Sequence, residues 1–241
     1  MKLPMTTATS TEETERDARV AVLPVGSFEQ HGDYLPLITD TLVASVIATA
    51  IADRYNLFLL PPVTISCSHE HAGWKGSVSI SSRTLAAIVT DVVDSLAHSG
   101  VHKLLVVNGH GGNYVLSNVV QEASVGGPKL SLFPSSEDWT RGREDAEMVT
   151  SSHADMHAGE LETSLLLHAM PEVVRPGYAS ANHEAESRPH LLSLGMGGYT
   201  KSGVIGYPSL GTAEKGAALL ESLVRSAAAH LEVLGESPVG R

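Results

Sequence analysis

Two short, unbroken apolar runs constrain this chain more than any other feature. VAVLPV (residues 20–25) breaks into Gly26–Ser27, and LLVV (residues 104–107) breaks into NGHGGN. Neither alternates polar with apolar residues. A strand with one wet face alternates; a strand covered on both faces need not, and that is the habit of parallel sheets. LFLLPPVTIS (residues 57–66) and KLSLFP (residues 129–134) read as two further strands, the first marked as an edge or irregular strand by Pro61 and Pro62. Residues 41–55, 83–98, 114–123, 160–170 and 212–234 show helical spacing, as in Leu42, Val43, Val46, Ile47, Ala50 and Ile51. Buried strands alternating with helices predict a three-layer α/β/α fold with a mainly parallel central sheet. Residues 1–18, rich in Thr and Glu, read as a flexible tail, leaving residues 19–241 as a single domain. Residues 137–152 are polar and ambiguous, and residues 175–211 read as loops rich in Gly and Pro.

The chain has 241 residues, 42% of them hydrophobic, enough for one core of generous size. A net charge of -11 argues against a nucleic-acid or acidic-membrane partner. The single cysteine, Cys67, allows neither an intrachain disulfide nor a cysteine-based zinc knuckle. The N-terminus is polar, unlike a signal peptide, and no apolar run reaches membrane-spanning length. A cytoplasmic enzyme or binding protein is the expected class. Histidine is the outlier: there are 12, several in close pairs such as His69 with His71 and His153 with His157. Imidazoles clustered beside carboxylates point to metal chemistry.

In parallel α/β folds the ligand crevice lies beyond the carboxyl ends of the strands. Two polar clusters fall there. After the first strand come Glu29, His31 and Asp40. Residues i and i+2 of an extended backbone point to the same side, so Glu29 and His31 can converge on one ion. A plainer reading is also open: Asp40 or Thr39 caps the following helix, and Glu29 and His31 are polar loop residues. After the third strand comes His110, followed by Gly111 and Gly112, which let backbone approach a ligand closely. The next helix offers free N–H groups to an anion or developing oxyanion. A third cluster, DMHAGELETS, sets His157, Glu160 and Glu162 around a helix start, with Glu162 beside the apolar stripe Leu161, Leu165 and Leu166. A fourth, SCSHEHAGWKGS, holds His69, Glu70 and His71; Gly73 and Gly76 argue for a loop, read as a substrate-facing wall with His71 and Trp74 rather than as metal shell. Carboxylates and imidazoles without thiolate suit Zn, Mn or Fe(II).

Five blocks in order, PVGSFEQHGDYLPLITDT, HEHAGWKGSVSI, VNGHGGN, HAGELETS and SGVIGYPSLGTAEKG, resemble those of the creatininase family of metal-dependent amidohydrolases. The resemblance implies a creatininase-like α/β fold, a homo-oligomer that is usually a hexamer, and two divalent ions per chain. It places one ion on Glu29, Asp40 and His110 and the other on His31, Asp40 and Glu162, with Asp40 bridging. It implies hydrolysis of a small-molecule amide by a hydroxide shared between the ions, with His157 as proton donor to the leaving nitrogen. Two positions depart from the creatinine-hydrolysing members: Gly112 stands where they carry glutamate, and His153 where they carry tryptophan. Creatinine is therefore not the expected substrate. Glu160 is expected to take over proton handling, and Gly111, Gly112 and His153 to contact substrate. A cyclic amide or formamide is the leading substrate class. The GHGGN form is also similar to members that deformylate a formamidopyrimidine and to peptidases that trim the mycofactocin precursor.

Overall fold

The computed structural model describes residues 5–236. Among them, four strands form one parallel sheet: β1 (Val20–Val25), β2 (Phe58–Leu59), β3 (Lys103–Asn108) and β4 (Leu130–Phe133), in the order β2-β1-β3-β4. β1 and β3 lie side by side in the centre, with Leu23 opposite Val106 and Val25 opposite Asn108. Their carboxyl ends therefore open at the same edge.

Side-chain alternation sends each strand into two cores. Val20 and Val22 of β1, with Leu105 and Val107 of β3, pack on one face against α2 (Thr39–Tyr55), α6 (Glu160–Ala169) and α8 (Ala213–Val233). Ala21, Leu23 and Val25, with Leu104 and Val106, pack on the other against α3 (Ser82–His98) and α4 (Val115–Ala123). Both faces are covered, which is why the runs are apolar throughout. The three-layer α/β/α expectation holds.

One close approach sets the geometry beyond the strands. Gly109 follows β3, and its N–H donates to the Val25 carbonyl at 2.9 Å. A Cβ at 109 would overlap the Asp40 carbonyl oxygen and lie 3.1 Å from the Ala44 nitrogen. Glycine here lets the first turn of α2 rest on the end of β3.

Several local expectations change. The strand expected over residues 57–66 shrinks to Phe58–Leu59 plus one bridge from Val63 to Val25, because Pro61 and Pro62 have no N–H to pair. The tail is not featureless: α1 (Ser10–Arg16) is held by a capping box between Thr9 and Glu12, and Arg16 Nη1 donates to Asn56 Oδ1 at 3.0 Å. Residues 1–4 and 237–241 of the expected tail and domain lie outside the described residues. The ambiguous segment contains α5 (Ser136–Asp145), begun by a Ser135–Asp138 capping box, and the stretch expected as loops contains one short helix, α7 (Leu191–Leu194).

Glu160 is the largest correction. It is fully buried at the start of α6, but its carboxylate accepts from Val149 N at 3.2 Å, Thr150 N at 3.0 Å and Thr150 Oγ1 at 2.6 Å, and pairs with Lys215 of α8. Burial pushes its pKa up, but Lys215 and Thr150 outweigh that and hold it below the usual value. All these partners belong to the 149–150 loop and α8. A carboxylate so engaged braces α6 against α8 and is not placed to move protons for a substrate.

Gly109→Ala is expected to lower stability by about 2 kcal/mol through overpacking, a drop in thermal midpoint of about 5 °C. Gly111→Ala, where a Cβ meets nothing within 4 Å, should leave the midpoint unchanged. Glu160→Ala leaves Lys215 without its buried partner and should cost about 3 kcal/mol in a denaturant titration while metal content stays at the wild-type level.

Candidate metal centre

The loop from β1 to α2 carries the first half of the site. His31 is fully buried, and its Nδ1–H donates to the Glu29 carbonyl at 3.1 Å. That turns Nε2 toward Asp40 Oδ1 at 3.0 Å and Glu162 Oε1 at 3.7 Å. Asp40 sits in the first turn of α2, yet that helix has no side-chain cap bond. Its carboxylate instead accepts from Ser27 Oγ at 2.6 Å and faces His110 Nδ1 at 3.1 Å through the same oxygen. The plainer cap reading of Asp40 therefore falls.

Glu29 has 0% exposure, and among the described residues neither carboxylate oxygen has a hydrogen-bond partner. Three imidazoles surround it instead: His71 Nε2 at 3.2 Å, His110 Nε2 at 3.3 Å and His157 Nδ1 at 3.7 Å. The His157 ring lies 4.2 Å from that of His31 and 4.5 Å from that of His71. Its Nε2 reaches the Gln30 carbonyl at 2.7 Å, which places the proton there and leaves Nδ1 as a lone pair toward Glu29. The second half of the site comes from α6. Ala158 adopts a left-handed conformation, φ 55°, and its N–H donates to Glu162 Oε2 at 2.6 Å, aiming Oε1 at His31.

The charges fit one another only in part. Burial, then the Asp40 charge, pushes the Glu29 carboxyl up to about 8. Asp40 is raised by burial but more strongly lowered by His31 and His110, so it stays ionised. Burial disfavours charge on His31 and His110, yet Asp40 and Glu162 beside the first, and Glu29 and Asp40 beside the second, raise both well above the ordinary imidazole value. His157 goes the other way: burial, then His31, lowers it to about 4. His71 is lowered further, by burial and then by His157. Glu29, a buried carboxylate without a donor, and His157, a neutral imidazole whose Nδ1 lone pair points at it, sit among further carboxylates, a set whose charge a divalent cation would balance.

Among the described residues, three groups present ligand atoms within 4.8 Å of one another: Glu29, His31 and His157; Glu29, Glu70 and His110; and His31, Asp40 and Glu162. Glu29, His31, Asp40, His110 and Glu162 thus come together from four separate parts of the chain. His71 and Glu70, read from the sequence as wall, lie inside this cluster, on the 3₁₀ turn His69–His71. Half-buried Trp74 has its ring 6.2 Å from that of His71. Gly111 lines an adjoining cleft with His110 and Glu162. His153 is elsewhere: it is exposed and bonded to Glu186 O at 2.6 Å and to Arg188, so contact with a substrate at the cluster does not follow from its position. Gln30, Ser27 and Asp155 went unread in the sequence. The Gln30 amide meets His71 Nδ1 at 2.9 Å and the Gly203 carbonyl at 3.0 Å. Asp155 accepts from Glu160 N at 2.6 Å and Leu161 N at 3.0 Å, capping α6 from outside the helix. A glutamine between Glu29 and His31 was the one available signal.

Residues 4–231 match the family model for creatininase, described as creatinine amidohydrolase. The chain is 32% identical over 224 residues to the mycofactocin precursor peptide peptidase of Mycolicibacterium smegmatis, covering 88% of this chain and 84% of the relative. It is 28% identical over 192 residues to the creatinine amidohydrolase of Pseudomonas putida, covering 66% and 70%. A solved structure of creatininase with Mn superposes with a TM-score of 0.79 at 21% identity, covering 94% of this chain and 96% of that one. The fold, the match along nearly the whole chain and the buried carboxylate–imidazole cluster agree: this chain belongs to the creatininase family of metal-dependent hydrolases.

Proposed function

We propose that the chain holds two divalent ions in this cluster and uses them to hydrolyse an amide bond in a short peptide. The observation that carries the metal reading is Glu29, buried with both oxygens unpartnered among three imidazoles. In the proposed assignment Glu29 and His110 face one ion, His31 and Glu162 the other, and Asp40 reaches both through its separate contacts with His31 and His110.

The peptide reading rests on the shape around the turn at 110–112 and on the similarity to the peptidase. A cleft of about 290 Å³ lies on one side, lined by His110, Gly111, Trp139, Arg143 and Glu162. A second, of about 570 Å³, lies on the other, lined by Glu70, Gly112, Tyr114, Leu192 and Leu194. An extended substrate crossing the turn touches both. A second reading, cleavage of a non-peptide cyclic amide or formamide, is favoured by the smaller cleft taken alone, whose volume suits a compact ligand.

Divalent ions bound here supply Lewis acidity toward the amide carbonyl and make water acidic enough to attack it. The chain supplies the positioning. The Glu29 carbonyl fixes the tautomer of His31, and Ser27 fixes the rotation of the Asp40 carboxylate. His157, neutral and with Nδ1 free, takes up a proton before it can pass one to the leaving nitrogen.

Asp40→Ala should abolish binding at both positions, whereas His31→Ala should spare one; elemental analysis of the purified variants reads the difference. In the metal-free chain Glu29 keeps its proton until about pH 8, and metal must displace it. Affinity for Mn²⁺ should therefore rise with pH through that value and keep rising above it while His31 and His110 give up their protons. Calorimetry in buffers of different ionisation enthalpy should show protons released on binding. Among short peptides, N-formyl aromatic amines, cyclic ureides and creatinine, the metal-loaded chain should give its highest kcat/KM on a peptide. Highest turnover of a formamide or cyclic amide would transfer the assignment to the second reading.

A further inference from the structure

We infer that Glu70 is itself a metal ligand, a carboxylate delivered to the His110 side of the cluster through the space that Gly112 leaves open; this rests on the metal reading above. Glu70 Oε1 lies 3.3 Å from His110 Nε2. Together with Glu29 it forms one of the three groups whose ligand atoms fall within 4.8 Å of one another. Its neighbour in that group, Glu29, has both oxygens buried without a hydrogen bond, a site that a cation between the two carboxylates would satisfy.

The path of the side chain explains the residue at 112. A Cβ there would overlap Glu70 Oε1 and His110 Nε2 and lie 2.8 Å from the Cys67 carbonyl oxygen. Any side chain at 112 takes the volume that the Glu70 carboxylate now fills. The turn carrying Glu70 is also held in place. Cys67 N donates to Asn113 Oδ1 at 3.2 Å, the Cys67 carbonyl meets His110 Nε2 at 2.8 Å, and Ser68 N donates to Ser79 Oγ at 2.8 Å. On the far side a Cβ at Gly195 would lie 2.8 Å from the Glu70 carbonyl oxygen, so the turn is packed from there too. A flexible surface glutamate has no use for such support; a ligand has. Glu70 is partly exposed, with 21% side-chain accessibility, and lines the larger cleft. It therefore forms the wall between that cleft and Glu29.

The test is titration of the metal-free full chain with Co²⁺ alone, read by elemental analysis and by the visible absorption of the bound ion. Wild type should bind two ions. Glu70→Gln, which keeps shape and removes charge, should weaken one of them by about tenfold or more and change its absorption bands. Glu70→Asp should recover part of that affinity. Because Glu70 sits on a partly exposed turn, the thermal midpoint of the metal-free Glu70→Gln chain should match wild type, separating ligand loss from misfolding. If wild type binds two ions and Glu70→Gln and Glu70→Ala bind them with unchanged affinity and spectrum, the ligand role of Glu70 is wrong while the metal reading stands. If wild type binds no Co²⁺, both fall.

Discussion

The contact of Asp40 with His31 on one side and His110 on the other is the interaction on which the site depends. It joins the loop after β1, the first turn of α2 and the turn after β3 through one carboxylate. Helix position helps, since a negative charge in a first turn is favoured by the helix dipole. The backbone matters more. α2 can approach β3 only because residue 109 has no side chain, and the pairing of Val25 with Asn108 sets how far His110 stands from Asp40. The sheet register is thus read out directly as the spacing between two imidazoles.

That arrangement is electrostatically expensive in isolation. Glu29 and Asp40 are removed from water at 0% and 1% exposure. An unpaired buried charge destabilises a fold by several kcal/mol, and the chain responds by moving protons: Glu29 holds one to about pH 8, and His31 and His110 hold theirs beyond the ordinary range. Cations can replace those protons without moving the ligands, because Ser27 and the Glu29 carbonyl already hold Asp40 and His31 in place. Rigidity is stored outside the ligands, and the unfavourable charge inside them becomes affinity for metal.

The sheet was legible because burial on both faces leaves an unmistakable mark: runs such as VAVLPV and LLVV have no polar interruptions. The positions of Glu29, His31 and Asp40 were legible for a related reason, since polar residues directly after such a run lie at the crevice edge. Glu160 misled because its spacing from His157 matched a site residue equally well. Only the tertiary contact with Lys215, 55 residues away, shows that it faces α8. His71 and Glu70 were underrated for the opposite reason. A glycine-bounded loop has no periodicity, so nothing local says which way a 3₁₀ turn points; the latch to Asn113 and His110 does. Likewise Gly112 looked like a lost carboxylate in one dimension, whereas in three dimensions the Glu70 carboxylate fills the space beside it.

The two clefts also bear on substrate size. A small cyclic amide at the ions fills the side lined by Trp139 and Arg143 and leaves the other untouched. The far groove would then stay empty, yet it is lined by Tyr114, Leu192 and Leu194 at 63%, 80% and 60% exposure, three of the nine exposed large hydrophobic side chains among the described residues. Exposed apolar side chains gathered at a cleft favour a ligand with its own apolar groups to cover them. A peptide crossing residues 110–112 would bring such groups on alternate residues of an extended backbone, with its backbone passing over His110, which contacts both Glu29 and Glu70. Use of the whole surface is thus what favours the proposed peptide substrate over a compact amide.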